Sequence, residues 1–148
     1  MNFELNLIMF KGTPQNVFAC RLHPHDDLKK SIVEFIKEKK IHAGWIITSV
    51  GSLSAFHLRF ANQSVGVSRT GNFEIVSLGG TLGNNECHLH ISVADESGTM
   101  VGGHLLEGCI VRTTAEIVVG TCEDFTFERE LDPRTRFREL LIKVKHVK

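Results

Sequence analysis

No stretch of this 148-residue chain approaches the ~20 consecutive apolar residues of a membrane-spanning helix. Charge is not in excess either. Seventeen Lys and Arg balance seventeen Asp and Glu, so no global field draws the protein to nucleic acid or to an anionic bilayer. The first residues, Met1-Asn2-Phe3-Glu4-Leu5, lack the basic region and long apolar run of a secretory signal. Internal repeats, low-complexity linkers and composition breaks are also missing. What remains is a single domain over residues 1–148, with 42% hydrophobic residues to build its core. The expectation is a cytoplasmic protein with no membrane partner, and a nuclear location belongs only to a DNA-associated role.

The four cysteines, Cys20, Cys87, Cys109 and Cys122, form no Cys-x-x-Cys pair, which removes zinc-ribbon and thioredoxin-type chemistry. They read as buried free thiols. Cys87 and Cys109 fall on odd, apolar positions of their strands, where a thiol behaves as a small hydrophobe. A Gly-x-Ser-x-Gly elbow, a P-loop and a dinucleotide fingerprint are absent too, so the chemistries they serve have no support.

What the chain does have is Cys87-His88-Leu89-His90 followed by Gly102-Gly103-His104. Leu89, Ile91 and Val93 alternate with His88, His90, Ser92 and Ala94, the period-two pattern of a half-buried strand. His88 and His90 therefore leave one face together, while Cys87 points the other way and is no ligand. A His-x-His pair alone is a weak signal, because such pairs are often surface or interface residues. The third histidine changes its weight.

His104 joins the pair only if the hairpin at Asp95-Glu96-Ser97-Gly98-Thr99 has the right register. A three-residue loop, with Glu96 and Ser97 right-handed and Gly98 left-handed, pairs Asp95 with Thr99. Counting outward puts His104 opposite His90. The same register sets Val101 and Leu105 on the face of Leu89, Ile91 and Val93, whereas a two-residue loop would turn His104 into the core. Gly102, opposite Ser92, is expected to leave open space beside the imidazoles. Three histidines with an open position suit zinc and other divalent first-row metals.

One helix is expected from near Asp26, with Leu28, Ile32, Phe35 and Ile36 at helical spacing, Asp26 or Asp27 as its cap and Gly44 ending the segment. Its lysines read as a solvated face. Strands are expected at Phe3 to Phe10, Asn16 to Arg21, Trp45 to Val50, Ala55 to Phe60, Phe73 to Leu78, Cys87 to Ala94, Met100 to Leu106 and Cys109 to Val119. In the last, Val111, Thr113, Ala115, Ile117 and Val119 share one side. Arg112 and Glu116 share the other, where they pair with each other or line the polar region near the histidines. Trp45 reads as core.

The residues from Gly71-Asn72-Phe73-Glu74-Ile75-Val76 to Gly79-Gly80-Thr81-Leu82, then His88-Leu89-His90, Gly102-Gly103-His104-Leu105 and Thr114-Ala115-Glu116-Ile117-Val118, resemble the plants-and-prokaryotes-conserved (PPC) domain, also called the PD1-like DNA-binding family. Gly51-Ser52-Leu53-Ser54 fits it as well. The resemblance implies an α/β fold of the α+β type, a largely antiparallel sheet packed on one main helix and assembled as a homotrimer. It further implies a metal site at His88, His90 and His104, close to where subunits meet. A trimer would also account for apolar Phe56, Leu58 and Phe60 on one strand side, which an ordinary two-sided core explains equally well.

The chain resembles a stand-alone member of that family. It contains no Arg-Gly-Arg-Pro sequence of the AT-hook type, and Arg134 to Arg138 is a modest basic patch at a turn or strand entry. Asn72 and Val76 depart from the Gly-Arg-Phe-Glu-Ile-Leu partner-binding hexapeptide of plant relatives. Two functions follow. The first is a small trimeric metal-binding protein that holds a divalent ion, zinc foremost, through three histidines and takes a small-molecule ligand there, with Glu116 an acid or base only if folding brings it near. The alternative is a non-enzymatic DNA-binding or transcription-associated scaffold.

Overall fold

The structure is a computed structural model that describes residues 9–145. Its elements run β1 (Asn16–Leu22), α1 (Leu28–Glu38), β2 (Gly44–Arg59), β3 (Val67–Gly83), β4 (Glu86–Ala94), β5 (Met100–Leu105), β6 (Ile110–Thr121), β7 (Phe125–Leu131) and β8 (Arg138–Val144). The largely antiparallel sheet with one short helix is the architecture expected. The strand placed at Phe3 to Phe10 falls mostly outside the described residues, and Met9 and Phe10 are not in a strand.

Six strands form one sheet in the order β1-β6-β2-β3-β4-β5, with every pairing antiparallel. β2 is long enough to change partners. Its first part pairs with β6, and its last residues pair with β5 through Leu58 opposite Leu105 and Arg59 opposite His104. β2, β3, β4 and β5 thereby close on one another, which leaves β5 with no free edge at that end.

Asp27 starts the helix, its Oδ1 accepting from the amides of Lys29 at 3.0 Å and Lys30 at 3.1 Å. Its Oδ2 accepts from the Gly108 amide at 2.7 Å, which ties the helix start to the turn before β6. Asp26 instead accepts from His23. The stop is not Gly44, which opens β2. Lys40, at φ 52°, makes the left-handed turn after the helix. Leu28, Ile32 and Ile36 face a core that contains Leu89, Ile91, Val93, Val111, Ile117 and Val119, and Phe35 packs edge-on against Phe18 at 5.5 Å. Each fully buried Leu, Ile or Val is worth about 1.5–3 kcal/mol relative to exposure. A one-residue slip of β4 would exchange Leu89, Ile91 and Val93 for the histidines, so burial fixes the register of the site.

Several expectations are corrected. Phe56 and Leu58 are 1% and 0% exposed within this one chain, so their strand face is ordinary core and needs no trimer. Trp45 is half-buried rather than core, lying over Gly120. The segments at Trp45 to Val50 and Ala55 to Phe60 are one strand, β2, bent at irregular pairings near Gly51 and Leu53. Opposite that bend, β6 carries extra residues between Val111 and Ala115, which leaves Thr113 exposed although Val111, Ala115, Ile117 and Val119 are buried. The same bulge removes the simple two-step spacing of Arg112 and Glu116. Among the described residues these two make no ion pair.

The β7–β8 hairpin, Phe125–Leu131 with Arg138–Val144, was not anticipated. Alternation in Phe125-Thr126-Phe127-Glu128 and the Asp132-Pro133 turn are the signals that would have shown it.

Candidate metal centre

The hairpin after β4 has the predicted loop. The Asp95 amide donates to the Thr99 carbonyl at 3.0 Å, the Gly98 amide donates to the Asp95 carbonyl at 2.9 Å, and Gly98 sits at φ 81°. His104 stands opposite His90, and Gly102 opposite Ser92. The three imidazoles form a triangle with ring centroids 5.1, 5.1 and 5.6 Å apart. One donor nitrogen from each lies within 4.8 Å of the others. Zinc–imidazole bonds of about 2.0–2.1 Å put tetrahedral donors about 3.3 Å apart, a gap that small side-chain rotations close.

His104 and His88 are both biased toward the neutral ring. Burial, then the charges of His88 and Arg59, pushes the His104 pKa down to about 4. Burial and the Arg129 guanidinium lower that of His88. Both effects favour the neutral ring, the form that ligates a metal. His104 Nδ1 is buried with no hydrogen-bond partner. A buried ring nitrogen left unpaired is costly in a protein interior, and an ion between the rings would use such a lone pair. The donor set therefore fits a divalent first-row metal.

A row of directly opposed residues crosses four strands at this point: Arg59 on β2, His104 on β5, His90 on β4 and Gly79 on β3. His88 lies one step along, opposite Thr81. The open space expected at Gly102 is found at Gly79. A Cβ on Gly102 would meet the Ile91 carbonyl and Ser92 Oγ at 3.0 Å, whereas one on Gly79 would meet nothing within 4 Å. Gly80, at φ 143°, has the opposite role, since a Cβ there would lie 1.9 Å from the His88 carbonyl oxygen. Its lack of a side chain lets β3 approach the backbone that carries His88.

Two clefts adjoin the imidazoles. One, of about 740 Å³, includes Gly79, His88, His90 and Gly102. The other, of about 750 Å³, contains all three histidines with Arg59, Arg129 and Arg138. Arg129 comes from β7 and directs Nη2 at His88 Nδ1 (2.5 Å) and at Thr81 Oγ1 (3.4 Å). Glu139, from β8, lines both clefts and accepts from Thr135 Oγ1 at 3.0 Å. Alternation with buried Phe56 and Leu58 gives the face of Arg59, but only the β2–β5 pairing brings it to the histidines. Glu116 is not brought to the site: it lies on β6, with β2 and β3 between it and β4, and lines neither cleft.

Burial raises the pKa of the Cys87 thiol and pushes that of Cys109 up to about 11, and all four cysteines are free. Cys109 and Cys122 are buried, while Cys20 and Cys87 are half-buried.

A bent antiparallel sheet with one helix and a histidine triangle beside two clefts defines a small β-sheet protein with a candidate metal centre. The chain belongs to the Plants and Prokaryotes Conserved (PCC) domain family, which it matches over residues 9–123. The β7–β8 hairpin lies beyond that match. The bifunctional protein GlmU of a Synechococcus strain is 40% identical over 126 residues, 85% of this chain and 20% of that protein. The chain thus spans about a fifth of the curated relatives it first matches. A hypothetical Salmonella protein of solved structure shares 37% identity at a TM-score of 0.90, covering 93% of this chain and 99% of its own. A metal-containing protein of Archaeoglobus fulgidus shares 26% identity at a TM-score of 0.78, covering 91% and 99%. Among the described residues no helix is long and apolar enough to cross a membrane.

Proposed function

We propose that this chain is a metal-binding member of its family in which His88, His90 and His104 hold a divalent ion, zinc foremost, with an open position facing the clefts. The observation that carries the reading is the convergence of three imidazole donors within 4.8 Å of one another, with His104 Nδ1 buried and unpartnered. The relative described as metal-containing supports it. When bound, the ion supplies Lewis acidity toward a water or an oxygen of a small ligand. This chain's own residues favour the neutral rings of His88 and His104, fix the spacing of the imidazoles through the β4–β5 register and keep space open at Gly79.

The chain assembles as a homotrimer, as its family resemblance implies. Ile47, Val50 and Val76 stand exposed on β2 and β3, and a subunit contact would cover them. Elemental analysis of protein purified without chelator, beside the His104→Ala variant and with oligomer mass recorded in parallel, tests both statements. About one ion per chain in the parent and loss in the variant is expected. A metal-free protein that also rejects added zinc, nickel and manganese sinks the metal reading, and a monomer mass sinks the trimer.

A further inference from the structure

We propose that Arg59 and Arg129 form a subsite for a small molecule carrying an oxyanion, carboxylate or phosphate, which bridges the two guanidinium groups and the open metal position. The metal end of this bridge rests on the function proposed above. Arg59 is placed by the β2–β5 pairing: it is directly opposite His104, so its side chain leaves the same face as the imidazole. Arg129 is placed by the β7–β8 hairpin, which sets its Nη2 on His88 Nδ1. Two elements far apart in sequence thus deliver two guanidinium groups to one cleft of about 750 Å³ that also contains all three histidines. That volume suits a small ligand.

Both arginines are half-buried, and neither makes an ion pair among the described residues. Arg59 reaches only the Gln63 carbonyl, at 3.4 Å. Arg129 donates to Thr81, to the Arg138 carbonyl and to His88. The third guanidinium, Arg138, is taken by Glu86 at 2.8 Å. Glu139 is the one acidic side chain lining this cleft, and it is held by Thr135. One positive charge therefore remains in excess beside the histidines, before any metal adds its own.

Half-buried guanidinium groups that no carboxylate contacts directly are costly, and a divalent ion would raise that cost. An oxyanion offsets both charges at once, and a guanidinium fork matches carboxylate or phosphate geometry. With zero net charge on the chain, the attraction is confined to the cleft, which favours a small molecule over a polyanion.

The test is calorimetric titration of zinc-loaded protein, in a buffer free of competing anions, with inorganic phosphate in one arm and malonate in the other. Arg59→Gln and Arg129→Gln are measured alongside, with their zinc content determined independently. At least one probe is expected to bind the parent and to bind each variant about tenfold or more weakly, while the variants keep their zinc. The probe should also tighten zinc binding by the same factor by which zinc tightens the probe. If neither probe binds zinc-loaded protein at millimolar concentration, or if either variant binds as the parent does, the subsite is overturned. Arginine-dependent binding in a protein that takes no metal would uphold the arginine subsite and remove only the metal reading.

Discussion

Arg129 Nη2 lies 2.5 Å from His88 Nδ1, and because a guanidinium only donates, that ring nitrogen is the acceptor. His88 therefore offers Nδ1 to an arginine from a strand 41 residues away. An ion bound through Nδ1 must displace the guanidinium. An ion bound through Nε2 needs the ring proton on Nδ1, which an arginine cannot accept. Either route parts Arg129 from His88, and the freed guanidinium then faces the cleft.

Arg129→Gln should for that reason bind zinc more tightly in the absence of an anion. The substitution removes a cation beside the ion, and an amide oxygen can accept from Nδ1–H, as the outer partners of metal-bound histidines do. Partial screening limits the gain to about threefold to tenfold. Competition against a chromophoric chelator measures it. Weaker binding in the variant would show that the guanidinium supports the ligand instead of opposing the metal.

The metal-free protein should lose stability as pH falls from about 6.5 to about 4. His104 titrates near 4 in the folded chain, against 6.5 for an ordinary histidine. Between those values the unfolded chain takes up a proton that the folded chain refuses, so stability falls with falling pH across that window and is flat above it. His88 shifts in the same direction. Melting temperatures at pH 7.5 and 4.5 in the presence of chelator should differ less in His104→Gln than in the parent. An equal pH dependence would locate the acid sensitivity elsewhere.

The histidine triangle was legible because its causes are local. Gly98 selects the loop, the loop sets the register, and Leu89, Ile91, Val93 and Leu105 hold that register by burial. Arg59 was not legible, because its place depends on β2 changing partner from β6 to β5, and neither partner is sequential to it. Arg129 depends on a hairpin whose docking is likewise non-local. Whether Glu116 reaches the site was open for a related reason. Alternation tells which face a residue shares but not how many strands lie between, and β2 and β3 stand between β6 and β4. The same gap explains the glycines. A glycine beside the imidazoles could be read from the sequence, but whether it opens space depends on how closely β4 approaches: Ile91 and Ser92 crowd Gly102, the His88 carbonyl crowds Gly80, and nothing crowds Gly79.

Asp27 should be worth more than a helix cap. Its Oδ1 satisfies two amides of the first turn and its Oδ2 a third, on Gly108, so Asp27→Ala leaves the helix start and the turn before β6 both short of an acceptor. A cap is worth about 1 kcal/mol and a hydrogen bond to a charged group about 1.5–3 kcal/mol, giving an expected loss of about 2–4 kcal/mol. Asp27→Asn, which retains the capping oxygen, should lose less. Urea denaturation with unchanged m-values measures both. A loss below about 1 kcal/mol for the alanine variant would mean that water replaces the Gly108 contact.

Adjacent glycines should respond in opposite ways. Gly79→Ala adds a methyl group to open space on the face of His90, at a backbone conformation that ordinary residues adopt. Removing a strand glycine lowers the entropy of the unfolded chain, so stability should hold or rise by up to about 1 kcal/mol. Gly80→Ala forces a Cβ to within 1.9 Å of the His88 carbonyl oxygen, at φ 143°. That contact cannot persist, so β3 and β4 must separate locally, at an expected cost of about 2–4 kcal/mol. Because the displaced backbone carries His88, zinc affinity should fall in Gly80→Ala and survive in Gly79→Ala. Melting curves together with zinc stoichiometry decide the matter. Retention of full zinc affinity in Gly80→Ala would mean that the histidine triangle tolerates a shift of β4, and that its spacing is set from β5 alone.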